Sequence, residues 1–283
     1  MIGSNGQLGT DLMKVLSDGH QVVGLTHKDI DVSDGNSCRS IVALKPDAVI
    51  NTAAFHKTDQ CEDDPGKTFA VNALGARNIA KVTEEIDAID VYISTDYVFD
   101  GRQKAPYTED SLPNPINTYG ISKQAGEAFT KQNPKHYIVR ISSVFGAAGA
   151  SGKGGNFVET MISKAKKGEA ISVISDMWMS PTYTRDASFT MRKMLESNLP
   201  VGTYHAANDG LCSWFDFAKA IFDMTGLKPR LTPTKAEQFP TKAKRPIFSA
   251  LSTDKLAQYG MKPRPWEDAL RDYLAEKLYL ARP

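Results

Sequence analysis

In the stretch TYGISK, Tyr119 and Lys123 stand four residues apart, a spacing that on a helix projects both side chains from one face. A phenol beside an ammonium ionises more readily, so such a pair can exchange a proton with a carbonyl or an alcohol near neutral pH. The spacing is frequent by chance, and a plain surface pair is the alternative. Its weight comes from STDYVFDG, residues 94–101, which ends an apolar run and puts Thr95 at the carboxyl end of a strand, where open α/β sheets collect ligands. A third feature opens the chain: MIGSNGQLG holds Gly3, Gly6 and Gly9. Glycines at that spacing permit a tight turn and let a pyrophosphate approach the amides of a helix N-terminus. Alone, such a turn is a weak signal.

These side chains need a scaffold, and the first half of the chain supplies an alternation of strand and helix patterns. Strands are expected at 20–26, 47–55, 90–99 and 136–146, with helices at 7–17, 68–84 and 118–132. The alternation predicts an α/β fold of Rossmann type, a doubly wound parallel sheet covered on both faces. After Gly146 the rhythm breaks into a glycine-rich loop (146–156), a helix at 157–167 and short strands. A helix capped by Ser213 and stopped by Gly226 follows, and another spans 266–278. Residues 1–146 therefore read as a dinucleotide-binding domain to which part of 184–206 returns. Residues 147–283 read as a smaller, discontinuous α/β substrate lobe.

Composition narrows the function class. The 283 residues carry 34 Lys+Arg against 33 Asp+Glu, a net charge of +1, which disfavours a nucleic-acid partner or an anionic membrane surface. Cys38, Cys61 and Cys212 lack the spacing of a disulfide framework or a zinc site, and the histidines form no ligand pair, so no metal site is expected. No apolar run approaches a membrane span, and the expected location is cytoplasmic.

The glycine turn, NTAAF (51–55), STDYVFDG and Tyr119 with Lys123 together resemble an extended short-chain dehydrogenase/reductase. NGQLG (5–9), TDYVFDG, NTYGISKQAGE (117–127), GNFV (155–158) and SPTY (180–183) resemble the dTDP-4-dehydrorhamnose reductase family within that superfamily, over nearly the whole chain. The resemblance implies reduction of the C4 keto group of dTDP-4-dehydro-L-rhamnose in surface polysaccharide biosynthesis. It implies Tyr119 as proton donor to the C4 oxygen, Lys123 on the nicotinamide ribose and Thr95 as a hydrogen-bond partner of that oxygen. Related 4,6-dehydratases carry Thr-Asp-Glu where this chain has Thr95-Asp96-Tyr97; losing the glutamate removes a group that dehydration needs and reduction does not.

For the cofactor, Gly3, Asn5, Gly6, Gln7 and Leu8 belong to the pyrophosphate turn. Asp31 and Val32 match the pair that meets adenine, Ala53 and Ala54 are small where backbone passes the cofactor, and Asn72 fits a cofactor-side asparagine. The second strand ends in Thr26, His27 and Lys28 rather than in the acid that grips an NAD ribose, which leans toward NADPH over NADH. Phe55, His56, Asn156, Phe157 and Arg245 are the expected contacts of a nucleotide-diphospho-sugar, with Arg245 on its diphosphate. Some family members use Mg2+, with no ligand set recognisable here, and a homodimer is left open. Trp178, Trp214 and Trp266 read as packing residues. The alternatives are an epimerase or reductase of another nucleotide keto-deoxysugar, or a non-catalytic NADP-binding subunit like the methionine adenosyltransferase β subunit. One anomaly remains. The family carries about five apolar residues before the first glycine, and this chain shows Met1 and Ile2. The first strand is thus expected to be truncated, with further residues upstream, a gap beside the second strand and weakened cofactor binding.

Overall fold

The computed structural model describes residues 1–149, 155–197 and 199–281. Its central sheet is parallel, in the order β1 (Ala48–Asn51), β2 (Ile89–Thr95), β3 (His136–Ile141) and β4 (Gly202–His205). After its first residue β2 is buried throughout, as expected of a strand with helices over both faces. The helices that matter are α1 (Gln7–Ser17), α2 (Gly75–Glu85), α3 (Thr118–Thr130), α4 (Phe157–Lys166), α5 (Thr184–Glu196), α6 (Trp214–Thr225) and α7 (Trp266–Glu276). On one face Leu8 and Leu12 of α1 and Met191 of α5 pack on Val91, Ile93 and Val139. On the other, Ile79 and Val82 of α2 cover Ile2 and Val49, while α3 lies over β2. α5 packs on the sheet and β4 joins it, and α4, α6 and α7 share a separate core with Phe145, Tyr183, Phe217 and Tyr273.

The position of a first strand is held by a short stub. Ile2 bridges Leu25 on one side and Asn51 on the other, with Ile2 N donating to Ile50 O at 2.9 Å and Thr52 N to Ile2 O at 3.2 Å. The gap expected beside residues 20–26 is therefore closed at the carboxyl end of the sheet. Residues 20–26 do not form the predicted strand: they pair at Leu25, because a strand exists only where a neighbour takes its backbone groups. The helix expected at 68–84 is Pro65–Phe69, a wide π-type turn at Ala70–Leu74 and α2. Such turns displace backbone carbonyls from the regular ladder, and here Asn72 O accepts the Tyr92 hydroxyl at 2.7 Å. The α6 boundaries agree with expectation: Ser213 and Asp216 form a capping box, and Gly226 ends the helix at φ 70°. The loop expected at 146–156 lies partly outside the described residues.

Residues 243–252 run back from the smaller core across β2 and α3. Ala243 N donates to Asp59 Oδ1 at 3.0 Å and Asn117 Nδ2 to Lys244 O at 2.8 Å. Ser249 Oγ donates to Asp96 Oδ2 at 2.5 Å, and Leu251 bridges Tyr107.

Asp90 on β2 is buried, and its Oδ2 lacks a partner among the described residues. Burial pushes its carboxyl up to about 8. A carboxyl whose pKa is raised on folding favours the folded state least where it must ionise, so its cost grows from about pH 4 to about pH 8. Asp90→Asn should therefore leave stability nearly unchanged at pH 4 and raise it by about 2–4 kcal/mol at pH 8, read from urea melts at both pH values. An equal effect at both would contradict this.

Candidate active site

A cleft of about 830 Å³ runs along the carboxyl end of the sheet, from the glycine turn past Thr95, Tyr119 and Lys123 to Phe157 and Trp214. At one end Gly3 turns at φ 75°, and a Cβ at Gly9 would stand 2.1 Å from Gly3 O, so α1 can seat on the turn only with glycine there. Its N-cap, Gly6, provides no side-chain cap, leaving the first amides of α1 for an anion. Gln7 lines the cleft, and both polar atoms of its amide are buried without a partner among the described residues. An unpaired buried amide costs about 1–3 kcal/mol, so these residues fit a polar ligand such as the pyrophosphate end of a dinucleotide.

At the centre, Asn117 caps α3 by accepting Gly120 N at 2.7 Å, and Glu62 takes Thr118 N at 2.8 Å and Thr118 Oγ1 at 2.7 Å. A Cβ at Gly120 would lie 2.1 Å from Tyr97 O; glycine between Tyr119 and Lys123 lets α3 close on the end of β2. Thr95 Oγ1 donates to Asp96 Oδ1 at 3.1 Å and accepts Tyr97 N at 3.2 Å. Asp96 also accepts the hydroxyl of Ser142 at 2.9 Å, and burial raises its carboxyl to about 6 against these hydrogen bonds. The rings of Tyr97 and Tyr119 meet edge-on, 6.1 Å between centroids.

Lys123 sits differently from the phenol–ammonium pairing that the spacing suggests. Its Nζ donates to Ile93 O at 2.5 Å and lies 3.9 Å from the centre of the Tyr92 ring. Burial lowers its ammonium to about 7, while Glu127 opposes that shift. The Tyr119 phenol is pushed up, chiefly by burial, with the Thr95 hydroxyl working the other way. Tyr119 is therefore a protonated phenol here, the form that gives a proton rather than takes one.

The cleft is lined by Gly3, Asn5, Gly6, Gln7, Leu8, Asp31, Val32, Ala53 and Ala54, the residues expected toward a cofactor, and by Phe55, His56, Asn156, Phe157 and Arg245, those expected toward a substrate. Two expected residues stand outside that lining. Lys28 is exposed while its neighbours Thr26 and His27 line the cleft. Asn72 is buried and clamps Phe55 instead, accepting its N at 2.8 Å and donating to its O at 3.0 Å. Lining residues that the sequence did not offer as contacts include Trp214, read there as a packing residue, Lys67 and Ser143. Trp214 packs on Phe157, 4.7 Å between centroids; its placement follows from the Ser213 cap, which puts it on the first turn of α6. Lys67 lies 5.2 Å from the centre of the Phe55 ring. Ser143, just past β3, holds an unusual positive φ of 45°, a strained backbone of the kind found at functional sites. Trp266 is buried in the smaller core, as its packing role implies, and Trp178 is partly exposed. Among the described residues no cluster of His, Cys, Asp and Glu is placed to hold a metal, and no helix is long and apolar enough to cross a membrane.

Residues 1–279 match the family described as RmlD substrate binding domain. The chain is 40% identical over 278 residues to the spore coat polysaccharide biosynthesis protein SpsK of Bacillus subtilis (strain 168), spanning 97% of this chain and 96% of that one. It is 38% identical over 278 residues to the dTDP-4-dehydrorhamnose reductase of Mycolicibacterium smegmatis, spanning 96% and 84%. The crystal structure of Bacillus anthracis dTDP-4-dehydrorhamnose reductase, solved in complex with NADP, superposes with a TM-score of 0.91 at 39% identity over 97% of both chains. In sequence and in fold, this chain belongs to the RmlD substrate binding domain family.

Proposed function

We propose that this chain is an NADPH-dependent reductase of the C4 keto group of dTDP-4-dehydro-L-rhamnose, giving dTDP-L-rhamnose for a surface polysaccharide. One observation carries the reading: a single cleft joins the glycine turn and the partnerless Gln7 amide to Thr95, Tyr119 and Lys123. Residues 1–146 with part of 184–206 serve the dinucleotide, and the rest supplies most of the sugar-nucleotide end.

When bound, NADPH supplies the hydride for C4. Tyr119 gives its phenolic proton to the C4 oxygen, and burial keeps that proton in place beforehand. Thr95 turns its hydroxyl proton from Asp96 toward the same oxygen, while Tyr97 N holds the oxygen of Thr95 in position. The Lys123 ammonium lines the same cleft but is turned to Ile93 O, so it holds the nicotinamide ribose and favours the tyrosinate left behind through space, without direct contact. Gly3, Gly6, Gln7 and Leu8 hold the pyrophosphate, with Asp31, Val32, Ala53 and Ala54 along the rest of the dinucleotide. Thr26 and His27 meet the ribose 2′ position. Lys67 and Arg245 face the sugar diphosphate, His56 and Asn156 the sugar, and Phe55, Phe157 and Trp214 offer the apolar surface a base requires.

Purified protein given the keto-sugar nucleotide should consume NADPH and yield dTDP-L-rhamnose, identified by NMR. A C4-epimeric product would overturn the product assignment, turnover only with a different keto-sugar nucleotide would overturn the substrate assignment, and no turnover with any of them would overturn the enzyme. Trp214→Ala should raise KM for the sugar nucleotide about 3–10-fold with kcat little changed, because it removes a contact made equally in the ground and transition states. A fall in kcat at constant KM would place Trp214 elsewhere.

A further inference from the structure

Beneath the catalytic pair lies a buried polar row that the proposed mechanism does not use. Ser94, Arg140 and His205 are register neighbours across β2, β3 and β4, and Glu127 reaches down onto this row from α3. Glu127 Oε1 accepts Ser94 Oγ at 2.6 Å and Arg140 Nε at 2.8 Å, and Oε2 accepts Arg140 Nη2 at 2.8 Å. Arg140 stacks over Phe99 at 5.0 Å and reaches His205 Nε2 at 3.5 Å, whose Nδ1 faces Ser252 O at 3.1 Å. Glu127, Arg140 and Ser94 are each about 2% exposed. A buried ion pair gains little stability over well-packed apolar side chains, so its use must be sought in what it positions.

Glu127 is four residues beyond Lys123, and the two therefore share a face of α3. Ser94 lies between Ile93, whose carbonyl holds Lys123, and Thr95 on the same strand. Ser94–Glu127–Arg140 thus ties α3 to β2 and β3 at the point where Tyr119, Lys123 and Thr95 must stay in register. We infer that Glu127, fixed by Arg140 and Ser94, is a positioning residue that sets the placement and the charge of Lys123 for reduction. The inference rests on the function proposed above.

The groups around Lys123 are few. Tyr92 on β2 and Tyr119 on α3 are phenols pushed up by burial. Asp90 on β2 is raised to about 8, and Asp96 is engaged by Ser142 and Ser249. Arg140 lies behind Glu127, and His205, pushed down to about 3 by burial and by Arg140, stays neutral. Among the described residues, Glu127 is left as the group whose charge opposes the effect of burial on the Lys123 ammonium.

Glu127→Gln keeps the shape and can still accept from Ser94 or Arg140 while removing the charge. In cofactor-free protein labelled with 15N-lysine, the Lys123 Nζ resonance, identified by its loss in Lys123→Met, should titrate about one pH unit lower in this variant. Turnover should fall about tenfold or more at pH 7.5 with KM for the sugar nucleotide within about threefold, and the alkaline limb of the kcat profile should move to lower pH. Glu127→Asp, which keeps the charge, should restore the titration midpoint. A midpoint unmoved in folded Glu127→Gln, or Gln outperforming Asp in both readouts, would overturn the inference. A parent that lacks reductase activity would instead defeat the functional reading while leaving the titration result standing.

Discussion

Tyr119→Phe should lower kcat by about 10²–10⁴-fold, the range of a lost general acid, while NADPH still binds. The argument is geometric. Phenylalanine keeps the edge-on packing against Tyr97 and leaves α3 with its Asn117 cap, so the substitution deletes a proton and little else. Thr95 cannot take over, because an alcohol proton is too weakly acidic at neutral pH, and Lys123 is turned to Ile93 O and the Tyr92 ring. The prediction is checked by single-turnover rates beside NADPH binding followed by fluorescence. Turnover within threefold of the parent, with binding intact, would remove Tyr119 from the chemistry.

Gly9→Ala should weaken NADPH binding by about 100-fold or more and cost about 2–4 kcal/mol of stability. The added methyl would lie 2.1 Å from Gly3 O and 3.0 Å from Gly3 C. These are backbone atoms of a turn, which cannot swing aside as a side-chain tip does. The start of α1 must then lift from Gly3, taking the amides of Gln7 and Leu8 with it. Gly6→Ala is the internal comparison for folding: its methyl would meet Gly3 O at 3.2 Å, a contact that a small shift relieves, so its melting temperature should fall less. Parent-like NADPH affinity in Gly9→Ala would refute the pyrophosphate assignment of this turn.

The parts of this site that were legible in the sequence are the local ones. Glycine spacing specifies a turn, a four-residue interval specifies a helix face, and Ser213 with Gly226 specifies the ends of α6, each from residues close together in sequence. The role of Glu127 was illegible because it depends on register: Ser94, Arg140 and His205 become neighbours only once three strands are aligned. Trp214 failed to stand out for a similar reason, since its ring meets the cleft only after α6 packs on α4. Residues 20–26 have the composition of a strand, yet strand formation is settled by a partner, and the Met1–Ile2 stub provides one short contact. The π-type turn at Ala70–Leu74 reads in sequence as uninterrupted helix, and its use, presenting Asn72 to Phe55 and to Tyr92, is tertiary.

The segment 243–252 has a consequence for recombination between relatives. It originates with the smaller core but bonds to Asp59, Asn117 and Asp96, so half of each of those contacts is encoded far upstream. A chimera that exchanges residues 155–281 wholesale would import a strap matched to another protein's Asp59 and Asp96 positions. Exchanging 155–240 alone would keep this strap paired with its own catalytic strand, and altered sugar selectivity in such hybrids should then come with less loss of turnover.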